Sequence, residues 1–305
     1  MEGTASAIAL MIGTASLPLV NASRGALEAS ETDIVAARHD AHERLTVPVQ
    51  IGGRGPYRFL LDTAAENTVI SSALAAELAL PASGRAKVIG VAGATSVDTV
   101  ELDSILLGRR IAYGLVAPLL DRAHIGADGI LGLDSLRSQR VLFDFRRNLI
   151  AIDEVETPVG NGIGEFEIVV RARRKSGQLI MTDAYVQGIR TAVVIDTGTD
   201  VSIGNRALQK ALGRKFAGKL AVLDSVTGQQ IAADLAVASE LRVDKLAIRN
   251  VTVAFADAAS FAALDLERRP AMLLGMRELR SFDRVAIDFP QRKILFDLSS
   301  GFQIR

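Results

Sequence analysis

Cysteine and tryptophan are absent from the chain, and 305 residues contain only three histidines and eight prolines. Without cysteine there is no disulfide framework, no thiolate zinc site and no thiol nucleophile, so any nucleophile used here is an oxygen species. Net charge is lacking too: 35 Lys and Arg balance 35 Asp and Glu, and no basic footprint points to nucleic acid or an anionic membrane. With three histidines and no Gly-x-Ser-x-Gly elbow, serine-triad chemistry is disfavoured. Gly52-Gly53-Arg54-Gly55 opens no helix; it is a hairpin turn, not a phosphate cradle, and nothing else suggests ATP or NAD. His39-Asp40-Ala41-His42-Glu43 gathers metal-ligating residue types, but it lacks the further partners of a zinc motif and is read as solvated linker. The expectation is therefore no metal and no organic cofactor.

Long apolar runs are scarce as well. The exception is Ala5 to Ala22, apolar or small throughout and ending in Val20-Asn21-Ala22, which suits a signal peptidase. Residues 1–22 are expected to be a cleaved export signal, which implies a periplasmic or secreted protein. The segment before the apolar run carries Glu2 and no Lys or Arg, so an uncleaved membrane anchor is the alternative. Residues 23–44 read as a polar linker. The remainder, in a chain 49% hydrophobic and 23% charged, is globular in character.

The chain also contains a repeat. Phe59-Leu60-Leu61-Asp62-Thr63-Ala64 matches Val193-Val194-Ile195-Asp196-Thr197-Gly198, each a buried strand running into Asp-Thr. Leu74 and Leu78 follow Asp62 at the distances at which Leu208 and Leu212 follow Asp196, and their i, i+4 spacing predicts a short helix in each copy. Gly93 and Gly228 then read as hairpin tips. Ile130-Leu131-Gly132 matches Leu273-Leu274-Gly275, and Asp144-Phe145 matches Asp288-Phe289. Short runs rich in valine and isoleucine surround these anchors, so the fold is read as mostly β. Pro158 and the run Gly160 to Gly164 suggest a linker over 156–163 between units at 45–155 and 164–299. Arg171 to Lys175 reads as a charged hairpin turn guarding a sheet edge.

A lone Asp-Thr-Gly is a common turn, but a pair at equivalent positions of a duplicated unit is not. Two-fold association of the units would place Asp62 beside Asp196, where two carboxylates cannot both ionise cheaply and one holds a proton. One member could then act as general base on a water while the other polarises a carbonyl.

From Val49 to Ala64, and in broader outline from residue 45 to 299, the sequence resembles the bacterial retropepsin-like aspartic peptidases, relatives of pepsins and retroviral proteases, in a single-chain form. The resemblance implies two homologous β-barrel lobes about a pseudo-two-fold axis with an active-site cleft between them. It also implies catalytic Asp62 and Asp196, interlocked Thr63 and Thr197, flaps at Gly93 and Gly228, and Gly132 and Gly275 packed behind the catalytic loops. The implied substrate is an extended polypeptide paired with flap edges, and the implied enzyme is an endopeptidase that works as a monomer. Ala64 departs from the usual glycine, which the second copy keeps as Gly198; its N–H can still serve the carboxylate unless the position needs positive φ. Thr199 carries a hydroxyl where the first copy has Ala65, so Asp196 is expected to be the more readily ionised member. The alternatives are a catalytically inactive peptide-binding module of the same fold and a structural protein held in a larger assembly.

Overall fold

The structure, a computed structural model, describes residues 5–6, 11–12, 33–40, 44–154, 166, 168–213 and 218–298. The expected linker over 156–163, most of the segments 1–22 and 23–44, and His42 and Glu43 lie outside the described residues. Strands dominate, as the short branched-aliphatic runs require, and they form three sheets.

The first sheet holds β2 (Met11–Ile12), β4 (Arg38–His39), β5 (Leu45–Ile51), β6 (Arg54–Leu61), β7 (Val69–Ser71), β8 (Ala82–Gly90), β9 (Gly93–Leu107), β10 (Arg110–Leu120) and β11 (Gly129–Leu131). Their spatial order is β2-β8-β9-β10-β7-β11-β6-β5-β4. The second sheet holds β1 (Ala5–Ser6), β15 (Arg173–Lys175), β16 (Gln178–Val186), β17 (Ile189–Ile195), β18 (Ser202–Gly204), β19 (Lys219–Asp224), β20 (Gln230–Val243), β21 (Leu246–Phe255) and β22 (Ala271–Leu274). Its order, β1-β19-β20-β21-β18-β22-β17-β16-β15, reproduces the first strand for strand.

These sheets correct one expectation, because they are not closed into barrels. Each is an open array with two distinct end strands, and among the described residues the one cross-link in each spans three residue pairs: Val49–Ile51 with Ile105–Leu107, and Ala184–Val186 with Leu241–Val243. The cause is strand length. β9 and β20 run for 15 and 14 residues; one end of each meets β5 or β16, while the other carries a hairpin partner away from the sheet body.

A third sheet joins the two halves: β3 (Asp33–Ala36), β12 (Gln139–Asp144), β13 (Leu149–Glu154), β14 (Ile168–Arg171), β23 (Phe282–Asp288) and β24 (Lys293–Leu298), in the order β14-β24-β23-β12-β13-β3. The order is symmetric about the antiparallel pair β12–β23, which places the pseudo-two-fold axis between them. Arg140 and Asp288 sit opposite each other in that pair as a buried ion pair with Nη2–Oδ2 2.7 Å.

Helices are short. α1 (Ser72–Leu78) and α3 (Arg206–Leu212) fall where the paired leucines predicted them, capped by Ser71 and Asn205, whose side chains accept from Leu74 N and Leu208 N. α2 (Arg122–Ile125), α4 (Ala259–Ala263) and α5 (Met276–Leu279) are single turns. Arg173–Lys175 is an edge strand, and the turn itself is Ser176-Gly177. Its charged residues pair with β16 instead of forming the turn. Among the described residues no helix is long and apolar enough to cross a membrane.

Candidate active site

β6 and β17 each end on an aspartate. Asp62 N donates to Leu131 O and Asp196 N to Leu274 O, at 3.1 and 3.0 Å, so the parallel neighbours β11 and β22 fix where each loop leaves its strand. The two loops then grip one another. Thr63 N donates to Thr197 Oγ1 (3.0 Å) and Thr63 Oγ1 to Ile195 O (2.9 Å), while Thr197 Oγ1 donates to Leu61 O (2.7 Å) and Thr197 N to Thr63 Oγ1 (3.3 Å). Residues 134 apart in sequence are thereby bonded across the axis.

Both aspartates are wholly buried. Asp62 Oδ1 accepts from Ala64 N (2.8 Å) and Ala65 N (3.1 Å), and Asp196 Oδ1 accepts from Gly198 N (3.0 Å). The Oδ2 atom of each has no hydrogen-bond partner. Ala64 is not among the residues with positive φ, so alanine serves the loop as glycine does in the other copy.

Burial pushes the Asp62 carboxyl up to about 7, against the pull of the Ala64 and Ala65 N–H groups and of Arg44. Asp196 is raised well above the ordinary carboxylate range, by burial first and by the charge on Asp62 second. The upward shift is the larger at Asp196, a direction opposite to the expected order. The premise for that expectation fails in the geometry: the Thr199 hydroxyl donates to Val201 O at 3.0 Å, captured by its own turn.

Several residues that support these loops escaped sequence reasoning. Behind the first loop, Thr68 Oγ1 donates to Asp134 Oδ1 (2.7 Å) and accepts from Gly132 N (3.2 Å). Behind the second, Ser202 Oγ donates to Glu278 Oε2 (2.5 Å) and accepts from Gly275 N (3.0 Å). A methyl group on Gly132 would lie 2.3 Å from Asn67 C, and one on Gly275 2.8 Å from Val201 C, so both glycines pack against the chain just beyond the loops.

Gln178 and Arg44 occupy equivalent positions and are both fully buried. Gln178 Nε2 donates to Ala64 O at 2.5 Å. Arg44 forms an ion pair with Asp40 and donates to Ile125 O at 2.8 Å. Its guanidinium favours the ionised form of both aspartates. Arg44 and Asp40 had been assigned to a solvated linker. The signal that could have found them is the spacing from Asp62, which matches that of Gln178 from Asp196.

Gly93 and Gly228 lie at the turns of the hairpins β8–β9 and β19–β20, with φ of 144° and 78°. The hairpins meet each other: a methyl on Gly90 would lie 2.3 Å from Ser225 Oγ, and one on Gly93 3.0 Å from Gln229 Oε1. Their tips are exchanged. Val91 packs into the apolar cluster of the second half, with Val201, Phe261 and Leu273, and Val226 into that of the first, with Leu60, Val88 and Ile130.

A family model described as aspartyl protease matches the chain at residues 47–135 and 182–277. Each stretch contains one Asp-Thr loop and one hairpin tip. No match to a curated protein is found.

Proposed function

Because the chain belongs to the aspartyl protease family and is an aspartic-type endopeptidase, we propose that Asp62 and Asp196 are the two residues that carry its chemistry. Asp62, ionised, takes a proton from a water as its oxygen bonds to the scissile carbonyl carbon, and Asp196 gives its proton to the carbonyl oxygen. The resulting gem-diol collapses as the proton held by Asp62 passes to the departing amide nitrogen and the C–N bond breaks. Asp196 recovers its proton from the hydroxyl, leaving a carboxyl and an amine. The observation that supports these roles is the division of labour within each carboxylate: Oδ1 is held by backbone N–H groups, and Oδ2 is buried and unpartnered.

Asp62→Asn and Asp196→Asn are each expected to slow cleavage of a diverse peptide library by on the order of 10³-fold or more. Retention of cleavage in either variant would reassign the catalytic pair. An inactive binding module drew its support from Ala64; with Ala64 N donating at 2.8 Å to Asp62, that support is gone.

The further proposals are an extended polypeptide substrate paired with the edges of β8 and β19, halves corresponding to 45–155 and 164–299, and a monomer, since one chain supplies both carboxylates. Export to the periplasm or medium by the segment 1–22 is proposed on its apolar pattern and on Val20-Asn21-Ala22. Peptidase activity in an oligomer alone would overturn the monomer, and export that is unaffected by deleting residues 1–22 would overturn the role of that segment.

A further inference from the structure

The basic run Arg171 to Lys175 is only partly explained by its place at a sheet edge. Arg174 Nη2 donates to Phe289 O at 2.6 Å, and Lys175 is paired with Asp265. Arg173 instead lines a concavity of about 360 Å³ together with Thr182, Arg190, Thr191 and Arg269. Three guanidinium groups, from β15, from the start of β17 and from the turn before β22, thus share one cavity whose lining contains no carboxylate. Arg190 Nε donates to Thr182 O at 3.1 Å, which anchors that group at the bulge of β16 between Met181 and Ala184. Among the described residues none of the three forms an ion pair, and Asp265, which feels the charge of Arg269, is held by Lys175.

Two other cavities show that the fold does not demand this arrangement. One of about 370 Å³ also holds three arginines, Arg146, Arg147 and Arg284, but each is paired with an aspartate of the same lining: Asp283, Asp144 and Asp297. In the first half, the positions that match Thr182, Arg190 and Thr191 by spacing from the Asp-Thr aspartate are Pro48, Pro56 and Tyr57. They line a cavity of about 250 Å³ that also takes in Arg38 and Arg58. The hairpin β5–β6 therefore folds with proline where β17 has Arg190, so the arginine is not needed to build the strand pair.

Three like charges in one cavity repel, and a bound anion relieves the repulsion. Guanidinium groups pair with phosphoryl oxygens two at a time, and the cavity is in the size range of small-molecule sites. We propose that this cavity binds a small phosphoryl anion, a pyrophosphate or a phosphate ester, held by Arg173, Arg190 and Arg269. β17 is extended, so Arg190 lies about 20 Å from Asp196; the site is separate from the dyad, and the proposal is independent of the chemistry there. A bound anion bridges β15, β17 and the segment entering β22, and stabilises the folded chain in proportion to its occupancy.

Titration calorimetry of the full-length chain with inorganic pyrophosphate, in buffer free of phosphate, sulfate and divalent cations, is expected to show a saturable site. Arg173→Gln with Arg190→Gln, and separately Arg269→Gln, should weaken binding about tenfold or more. Arg146→Gln, from the charge-balanced cavity, and Arg38→Gln, from the cavity of the first half, should leave it unchanged. All five side chains are exposed, and unchanged far-UV circular dichroism is expected to show that each variant folds. As a second readout, pyrophosphate should raise the thermal unfolding midpoint of the wild type and not that of Arg173→Gln with Arg190→Gln. Absence of saturable binding up to about 10 mM, or an equal loss in Arg146→Gln and Arg38→Gln, overturns the proposal, because the association is then with diffuse surface charge. Equal affinity for citrate, which offers carboxylates in place of phosphoryl oxygens, overturns the phosphoryl assignment.

Discussion

At the scale of single residues, the dyad is governed by burial. A carboxyl whose folded pKa lies above its unfolded value near 3.8 takes up protons on folding between those two values, so its contribution to stability is complete at low pH and is lost as pH rises through about 7. The urea unfolding midpoint of the wild-type protein is expected to fall between pH 4 and pH 8, and to fall less in Asp62→Asn, where one charge no longer has to be buried. Catalysis follows the opposite slope, because Asp62 must be ionised to act as base. kcat/KM for peptide cleavage should decline on the acid side with an apparent pKa near about 7. A profile that is maximal near pH 4 would show that Asp62 is solvated during turnover. The aspartates, threonines and Ala64 were legible because they stand in a repeated motif. Arg44 and Gln178 were not, because they differ in chemical type and share only their spacing; Thr68 and Ser202 share a hydroxyl but stand outside the repeated motif, and what their hydroxyls bond is set by the fold.

At the scale of elements, the join between the halves is the strand pair β12–β23. Arg140 there is buried against Asp288, with Nε–Oδ2 3.0 Å and Nη2–Oδ2 2.7 Å. Its register partner on the other side is Asp153, whose Oδ1 is buried and without a hydrogen-bond partner. Arg140→Ala leaves buried acid groups uncompensated and is expected to destabilise the protein by about 3–5 kcal/mol, measured by chemical denaturation. Replacing the pair together, Arg140→Met with Asp288→Leu, should cost less, because no buried charge is stranded. If the two variants lose the same stability, Arg140 contributes packing and not charge. The strands themselves were readable from short branched-aliphatic runs, and both seven-residue helices from their leucine spacing. The pairing of β12 with β23 was not, since it joins residues such as Arg140 and Asp288, 148 apart in sequence, and leaves no local pattern.

At the scale of the whole molecule, the exchanged hairpin tips tie the two halves to one another. Val91 and Val226 each fill a site in the other half's apolar cluster. Val91→Ala and Val226→Ala each remove two buried carbons, a loss of about 1–2 kcal/mol from the closed state. Amide hydrogen exchange in Ala82–Leu107 and Lys219–Val243 should accelerate about tenfold in either variant. Unchanged protection would mean that the tips are held by the surrounding hydrogen bonds and not by the valines.

The amino-acid sequence alone determined that the chain is a duplicated, mostly β unit with one Asp-Thr loop in each copy, because hydrophobic period and repeated spacing are local properties written along the chain. Tertiary structure decided that the sheets stay open, that the hairpin tips are exchanged, that Arg44 is buried, and that burial raises both aspartates. Each of these depends on distances between residues far apart in sequence, and on the water their packing excludes.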